Sequence, residues 1–389
     1  MIAKFTKIKE ERRLKAELKK AFTVAEIYRE YNGFDGKKGR IYPKIHSVRE
    51  TGDSREYVFT LPTGLDPRDL TKKDYVFRQV FGDKLEFDGE IKRFTLTVYY
   101  RSLPSSAPYL RVDLPSKLSD MRLPILCGVD RYGETVSYDM AEYPHLLIAG
   151  ETGSGKSTQV RSIITTLIRN VGADKLTLYM ADLKRSEFHI FKRVKHVPEV
   201  MTKTAKLKSR VSKLRKEMER RGDLLDEHEV THVDELPADK RPKYIVLCID
   251  EVAMLQKENV IMEGIEEISA IGRALGVFLL LSMQRPDRNV LDGKLKNNLT
   301  VRMAFRHSDG INSRITIGTQ DAKDISIEER GRMYLKLEDL TLIQAPYLTD
   351  KEARKLLDPY RVEREESEEY AEQPPEDGEE FMVGLIDDE

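Results

Sequence analysis

Apolar and polar positions divide the chain into regions of different period. Over Met1–Lys20 the positions Phe5, Ile8, Arg12 and Lys15 form no apolar stripe, so the segment reads as a short surface helix or a solvated arm. Glu56–Leu61 alternates as a strand. Asp66 is placed to cap a helix through Leu70, Val76, Val80 and Phe81, with Gly82 as its stop. Lys84–Phe87 and Ile91–Tyr100 then read as a hairpin turning at Asp88-Gly89. Together these predict a small α+β domain over 48–101, preceded by an arm over 1–47. Residues 102–120, rich in Pro and Ser, read as a linker. From 121 to 350, short apolar runs (His145–Ala149, Leu176–Met180, Tyr244–Ile249, Val277–Met283) alternate with helical patterns. That alternation predicts an α/β domain built on a parallel sheet.

Composition narrows the classes. The 389 residues are 40% hydrophobic and 34% charged. The longest apolar runs, such as Val277–Leu281, fall far short of the roughly 18 residues a spanning helix needs. No apolar stretch near Met1 reads as a signal peptide. Two cysteines argue against a disulfide scaffold or a zinc ribbon and suit a reducing, cytoplasmic setting. The net charge of −1 hides an asymmetry: residues 361–389 carry −11, leaving +10 on residues 1–360. A basic body raises the question of nucleic acid. The tail over 351–389 reads as acidic and disordered, interrupted by the apolar island Phe381–Ile386.

The strand His145–Ala149 runs directly into Gly150, Glu151, Thr152, Gly153, Ser154, Gly155, Lys156, Ser157 and Thr158, a full G-x-x-x-x-G-K-[ST] match followed by an amphipathic helix. Glycines let successive N–H groups turn inward around a phosphate, and the helix N-terminus adds its positive dipole end. Lys156 then reaches the β- and γ-phosphates of ATP, and Ser157 offers a hydroxyl to Mg²⁺. Strand Tyr244–Ile249 ends in Asp250-Glu251. Carboxyl ends of parallel strands carry ligand sites, so Asp250 is placed to hold Mg²⁺ and Glu251 to deprotonate water. Gln284, ending the third strand, is placed to sense the γ-phosphate, and Asp182 to support the metal site. Arg273, just before the sensor strand, is a candidate for a trans arginine, with Arg302 and Arg314 as rivals.

Several blocks resemble the FtsK/SpoIIIE DNA translocases. They are Val129–Val136, Pro144–Ser157, Glu217–Arg221, Ser282–Pro286, Asn298–Phe305 and Asn312–Arg314. The family's Asp-Glu-Phe-Ala-Asp pattern is Asp250-Glu-Val-Ala-Met254 here, keeping the acidic pair and losing the later acid. The resemblance implies a RecA-like P-loop motor core that assembles as a homo-hexameric ring around duplex DNA. It implies Arg273 as the trans arginine. Two basic stretches are then expected to face the pore and grip phosphates: Lys184–Glu199, with Lys184 and Arg185, and Arg285–Asn298, with Arg285, Arg288, Lys294 and Lys296. The short layout is similar to FtsK-like proteins of Gram-positive conjugative elements. There the motor acts as a coupling protein with relaxase or secretion-channel partners, recruited through them to the inner face of the membrane. A protein-secretion motor of the same superfamily is the alternative. A small-molecule kinase is disfavoured by Asp250-Glu251, because a water-activating glutamate favours hydrolysis.

Overall fold

The fold is seen in a computed structural model, which describes residues 2–32, 37–51, 54–82, 84–100, 103–111, 118–286, 291 and 293–362. Helix α1 (Ile2–Val24) does not stand apart as an arm. Leu14, Leu18 and Phe22 are buried in one core with Tyr57, Phe59, Phe77 and Leu96. The buried positions Leu14, Leu18 and Phe22 fall on a different face from Phe5, Ile8, Arg12 and Lys15, which is why the segment reads as solvated. Two short strands, β1 (Arg29–Asn32) and β2 (Lys38–Ile41), pair as a ribbon. Strands β3 (Lys44–Glu50), β4 (Ser54–Thr60), β5 (Leu85–Asp88) and β6 (Arg93–Tyr99) form an antiparallel sheet in the order β3-β4-β6-β5. The expected helix is two, α2 (Arg68–Lys72) and α3 (Asp74–Phe81), and the Asp66 carboxylate accepts the Arg68 N–H at 2.9 Å. Residues 2–100 thus pack as one unit rather than as an arm followed by a domain.

The expected linker is also partly structured. Strand β7 (Ala107–Pro108) pairs with a late strand, and Tyr109 is buried with its hydroxyl 3.0 Å from Thr166 Oγ1. Beyond it, β8 (Pro124–Val129), β9 (Thr135–Asp139) and β10 (Leu146–Ala149) lead to α4 (Lys156–Asn170). Next come β11 (Leu176–Ala181), β12 (Glu199–Met201), α5 (Thr204–Glu227), β13 (Tyr244–Ile249), α6 (Asn259–Ile271) and β14 (Val277–Met283). The chain continues through α7 (Gly293–Asn298), β15 (Val301–Phe305), α8 (Gly310–Ile317), β16 (Arg332–Lys336), β17 (Leu340–Gln344), β18 (Pro346–Tyr347) and α9 (Asp350–Leu357).

Among the described residues, ten strands form one sheet in the order β12-β11-β13-β14-β10-β15-β16-β17-β8-β9. The run from β12 to β15 is parallel, as the alternating pattern predicts. The run from β15 to β9 is antiparallel, so the sheet is mixed. Only three residues separate β16 from β17, whereas a parallel crossover needs a dozen or more. Helices cover both faces. Val160, Ile163, Ile164 and Leu167 of α4 pack on one, and α5 with α6 pack on the other. A Cβ at Gly264 in α6 would come within 2.2 Å of Val211 Cγ1, so glycine there lets α5 and α6 approach closely. The start of the expected tail is helical instead. Thr349 and Glu352 form a capping box for α9, and Ala353 and Leu357 are buried against the core. Residues 363–389, including the apolar island, lie outside the described residues.

The Glu217–Arg221 block has a structural task. Arg221 is buried on α5 and donates to the carbonyls of Leu275 (2.6 Å), Gly276 (3.3 Å) and Lys243 (2.7 Å) and to Glu217 (2.8 Å). It therefore ties a helix to the segments entering β13 and β14. Hydrogen bonds from Arg220 and Arg221 hold the Glu217 carboxyl down at about 2, against an ordinary value of 4.5. We expect Arg221→Ala to cost about 3 kcal/mol or more, because it strands buried carbonyls and a half-buried carboxylate. A depressed carboxyl stabilises fully above its unfolded pKa and loses that contribution as pH falls through the folded one. Thermal melts should therefore show the wild type losing stability between pH 4.5 and 2 more steeply than Arg221→Ala.

Candidate active site

Strands β10 and β13 flank β14, so their carboxyl ends lie two strand spacings apart, about 10 Å. The phosphate loop leaves β10 and the Asp250-Glu251 pair leaves β13. Gln284 leaves β14 between them. Parallel register alone thus brings the three sequence-predicted segments to one edge. The loop is anchored by the Gly150 N–H to Met283 O (3.3 Å) and the Glu151 N–H to Arg306 O (3.1 Å). Glu151 and Arg306 also form an ion pair. Gly155 has φ +111°, and a Cβ on it would lie 2.9 Å from the backbone of Gly331. Glycine there is required twice, by conformation and by space. A cavity of about 590 Å³ opens over the loop, lined by Lys156, Ser157, Glu187, Gln284 and Tyr347 among others.

Lys156 is buried, and its ammonium donates to Ser282 Oγ at 2.7 Å. Burial lowers its pKa, with Glu187 and Glu251 acting in the opposite sense. Ser157 Oγ donates to Glu187 Oε1 at 2.6 Å. Asp250 and Glu251 are both buried. Asp250 accepts the N–H groups of Leu183 and Lys184, each at 3.2 Å. Burial pushes its carboxyl up to about 6, a shift that a bound cation would oppose. Glu251 accepts the Gln284 N–H at 3.2 and 3.3 Å on its two oxygens, and Lys184 Nζ at 2.7 Å.

Other predicted residues sit differently. Asp182 accepts the N–H groups of Ser186, Glu187 and Phe188, so it organises the following loop and is engaged away from Ser157. Lys184 is paired with Glu251 in the site rather than presented as a phosphate grip. Arg185 and Arg285 are exposed at the same edge as the phosphate loop. Lys294 and Lys296 lie on α7, not in a loop, and α7 packs on α6 toward the opposite edge, with Asn298 bonded to Ser269. Lys294 and Lys296 therefore stand apart from Arg185 and Arg285 within one chain. Arg288 lies outside the described residues. Arg273 is exposed before β14 begins, about 23 Å along the strand from Gln284, and so does not reach its own chain's cavity. Arg302 is tied to the carbonyls of Leu299, Thr316 and Lys296, a structural arrangement. Arg314 is exposed on α8.

Sequence reasoning missed Ser282 and Glu187. Ser282 is the one hydroxyl near the end of an otherwise apolar strand and accepts the Lys156 ammonium, so that lone hydroxyl was the available signal. Glu187 had none, because the turn that aims it at Ser157 is set by the side chain of Asp182.

The fold and this edge define a P-loop ATPase domain. Residues 113–246 match the FtsK/SpoIIIE family. The DNA translocase FtsK of Helicobacter pylori is 33% identical over 277 residues, 66% of this chain and 32% of the relative. The chain thus carries a match to the FtsK/SpoIIIE family over residues 113–246, and it spans about a third of the length of the curated translocases it matches. Among solved structures, the monomer form of the pCW3 conjugation coupling protein TcpA with ATPγS superposes with a TM-score of 0.61 at 26% identity, covering 88% of this chain and 98% of that one. The cytoplasmic domain of the Thermomonospora curvata type VII secretion ATPase EccC gives 0.57 at 24% identity, covering 67% and 33%, and shows the shared fold. Among the described residues no helix is long and apolar enough to cross a membrane.

Proposed function

We propose that the protein is an ATP-hydrolysing motor that translocates double-stranded DNA, acting as a homo-hexameric ring and serving as a coupling protein in conjugative transfer. The observation that carries this reading is the convergence of Lys156, Ser157 and Gln284 on one cavity, with Asp250 and Glu251 buried at the adjoining strand end and Glu251 bonded to the Gln284 N–H, in a domain related to DNA translocases. Near-full coverage of a conjugation coupling protein supports the role in transfer.

The chain's own groups divide the work. Backbone N–H groups of Gly153–Lys156 and the start of α4 hold phosphates, and the Lys156 ammonium sits within the cavity wall. No cluster of three or more carboxylate, His or Cys groups forms a metal cage among the described residues. Mg²⁺ is held by one or two protein oxygens together with phosphates and water, and the Ser157 hydroxyl and the buried Asp250 carboxylate fit that donor set. Ser157 and Asp250 are the groups that would hold it, and when bound it neutralises phosphate charge. Glu251 takes the proton of the attacking water. Gln284 links the two halves, because its backbone N–H fixes Glu251 while its side chain faces the cavity. Arg273 completes the site of the neighbouring subunit in the ring. Relaxase or channel proteins bring the motor to the inner face of the membrane from the cytoplasm.

DNA contact is assigned to exposed cations that grip phosphates without reading bases. Arg285→Ala and Lys294→Ala should each reduce the slope of log Kobs against log salt by about one unit, equally for unrelated duplex sequences. An unchanged slope for both variants would remove these residues from the grip. The function itself is tested by ATPase rates without DNA, with duplex DNA and with single-stranded DNA. Duplex DNA should stimulate most. Stimulation by a secreted polypeptide and not by DNA would favour the protein-secretion alternative.

A further inference from the structure

The loop Asp182–Phe188 touches three members of the site at once. Asp250 accepts the N–H groups of Leu183 and Lys184. Lys184 Nζ donates to Glu251 Oε2 at 2.7 Å. Glu187 Oε1 accepts the Ser157 hydroxyl at 2.6 Å. Asp182 clamps the loop's far half through the N–H groups of Ser186 and Phe188, both at 2.9 Å. Between these inward contacts Arg185 adopts φ +59° and is exposed. A non-glycine residue in the left-handed region is uncommon, and here it separates an inward lysine from an outward arginine.

We propose that Lys184 is a latch on Glu251, opened when the phosphate backbone of duplex DNA engages Arg185 and draws the neighbouring ammonium away. The inference rests on the reading of Glu251 as the base. A general base needs a carboxylate lone pair directed at the water it deprotonates. In the closed arrangement Oε2 is bonded to an ammonium, and both oxygens also face the Gln284 N–H. One ammonium in this geometry cannot stay on Glu251 and also bond a phosphate outside the site, so DNA competes with the carboxylate for Lys184. The Lys184 side chain is 35% exposed and its partner 5%, so the lysine is the member that can leave without unfolding the site. Lys184 is on this account a positioning residue, and the latch makes hydrolysis depend on DNA.

The test is steady-state ATPase of the full chain with and without saturating duplex DNA. Lys184→Met should raise the DNA-free kcat about two- to fivefold, the scale of one partly exposed ion pair, toward the DNA-stimulated rate and with little change in KM for ATP. Lys184→Arg, which keeps the cation, should restore the low DNA-free rate. Arg185→Ala should raise the DNA concentration needed for half-maximal stimulation. Adding Glu251→Gln to Lys184→Met should abolish the gain, and a gain that survives would show that Lys184 does not act through Glu251. A stimulated wild type whose Lys184→Met variant has an unchanged or lower DNA-free kcat overturns the latch alone. A wild type that duplex DNA does not stimulate overturns the motor reading and the latch with it.

Discussion

Arg273→Ala lowers kcat by about 10³–10⁵-fold, the range of an arginine supplied to a neighbour's phosphoryl transfer, and the loss is repaired by a second defective chain. Arg273 lies at the end of β14 remote from Gln284 and is exposed there. It does not reach its own chain's cavity, and in the proposed ring it would serve the next subunit's nucleotide. When Arg273→Ala is mixed with Lys156→Ala, one class of interface combines an intact Lys156 with an intact Arg273, and hydrolysis returns in proportion to that class. Arg302, held by three carbonyls, is a weaker candidate, and its replacement should lower the melting temperature before it lowers kcat. Demonstrated mixed assemblies with no recovered ATPase would move Arg273 out of the trans role.

Glu251→Gln lowers kcat by about 10²–10⁴-fold, the usual contribution of a general base, while nucleotide affinity stays near that of the wild type. The amide is isosteric and its oxygen can still accept from Gln284 N–H and Lys184, so the edge keeps its shape. Lys156→Ala behaves differently. It removes the buried cation that contacts Ser282 and faces the phosphate site, and nucleotide binding goes with it. Equilibrium titration with a fluorescent nucleotide alongside kcat separates the two variants. A Glu251→Gln enzyme that turns over at the wild-type rate would remove the base from Glu251.

What was legible in the sequence follows from where the information is local. A strand, a glycine-rich turn and a helix are consecutive, so the phosphate loop could be read residue by residue. The acidic pair was legible because an apolar run ending in two carboxylates marks the edge of a parallel sheet. Contacts set by distant elements were not legible. The antiparallel half of the sheet joins the late strands β16 and β17 to the early strands β8 and β9, and that order could not be seen in a period. Helix α1 hides its apolar stripe behind a basic first half, so a packed helix resembled an arm. The pairing of Lys184 with Glu251 joins residues 67 apart, and a lysine among other cations gave no sign of facing inward. Arg221 shows the reverse case, because a family-like block in a charged helix is explained by three backbone carbonyls that only the folded chain brings within reach.

The central claim is movement along duplex DNA driven by hydrolysis at this edge, and displacement of a third strand from a duplex carrying a triplex block tests it most directly. The account predicts displacement that needs ATP, proceeds on unrelated duplex sequences, and is absent with Glu251→Gln although that variant still binds nucleotide and DNA. ATP hydrolysis stimulated by duplex DNA with no displacement of the third strand would contradict it.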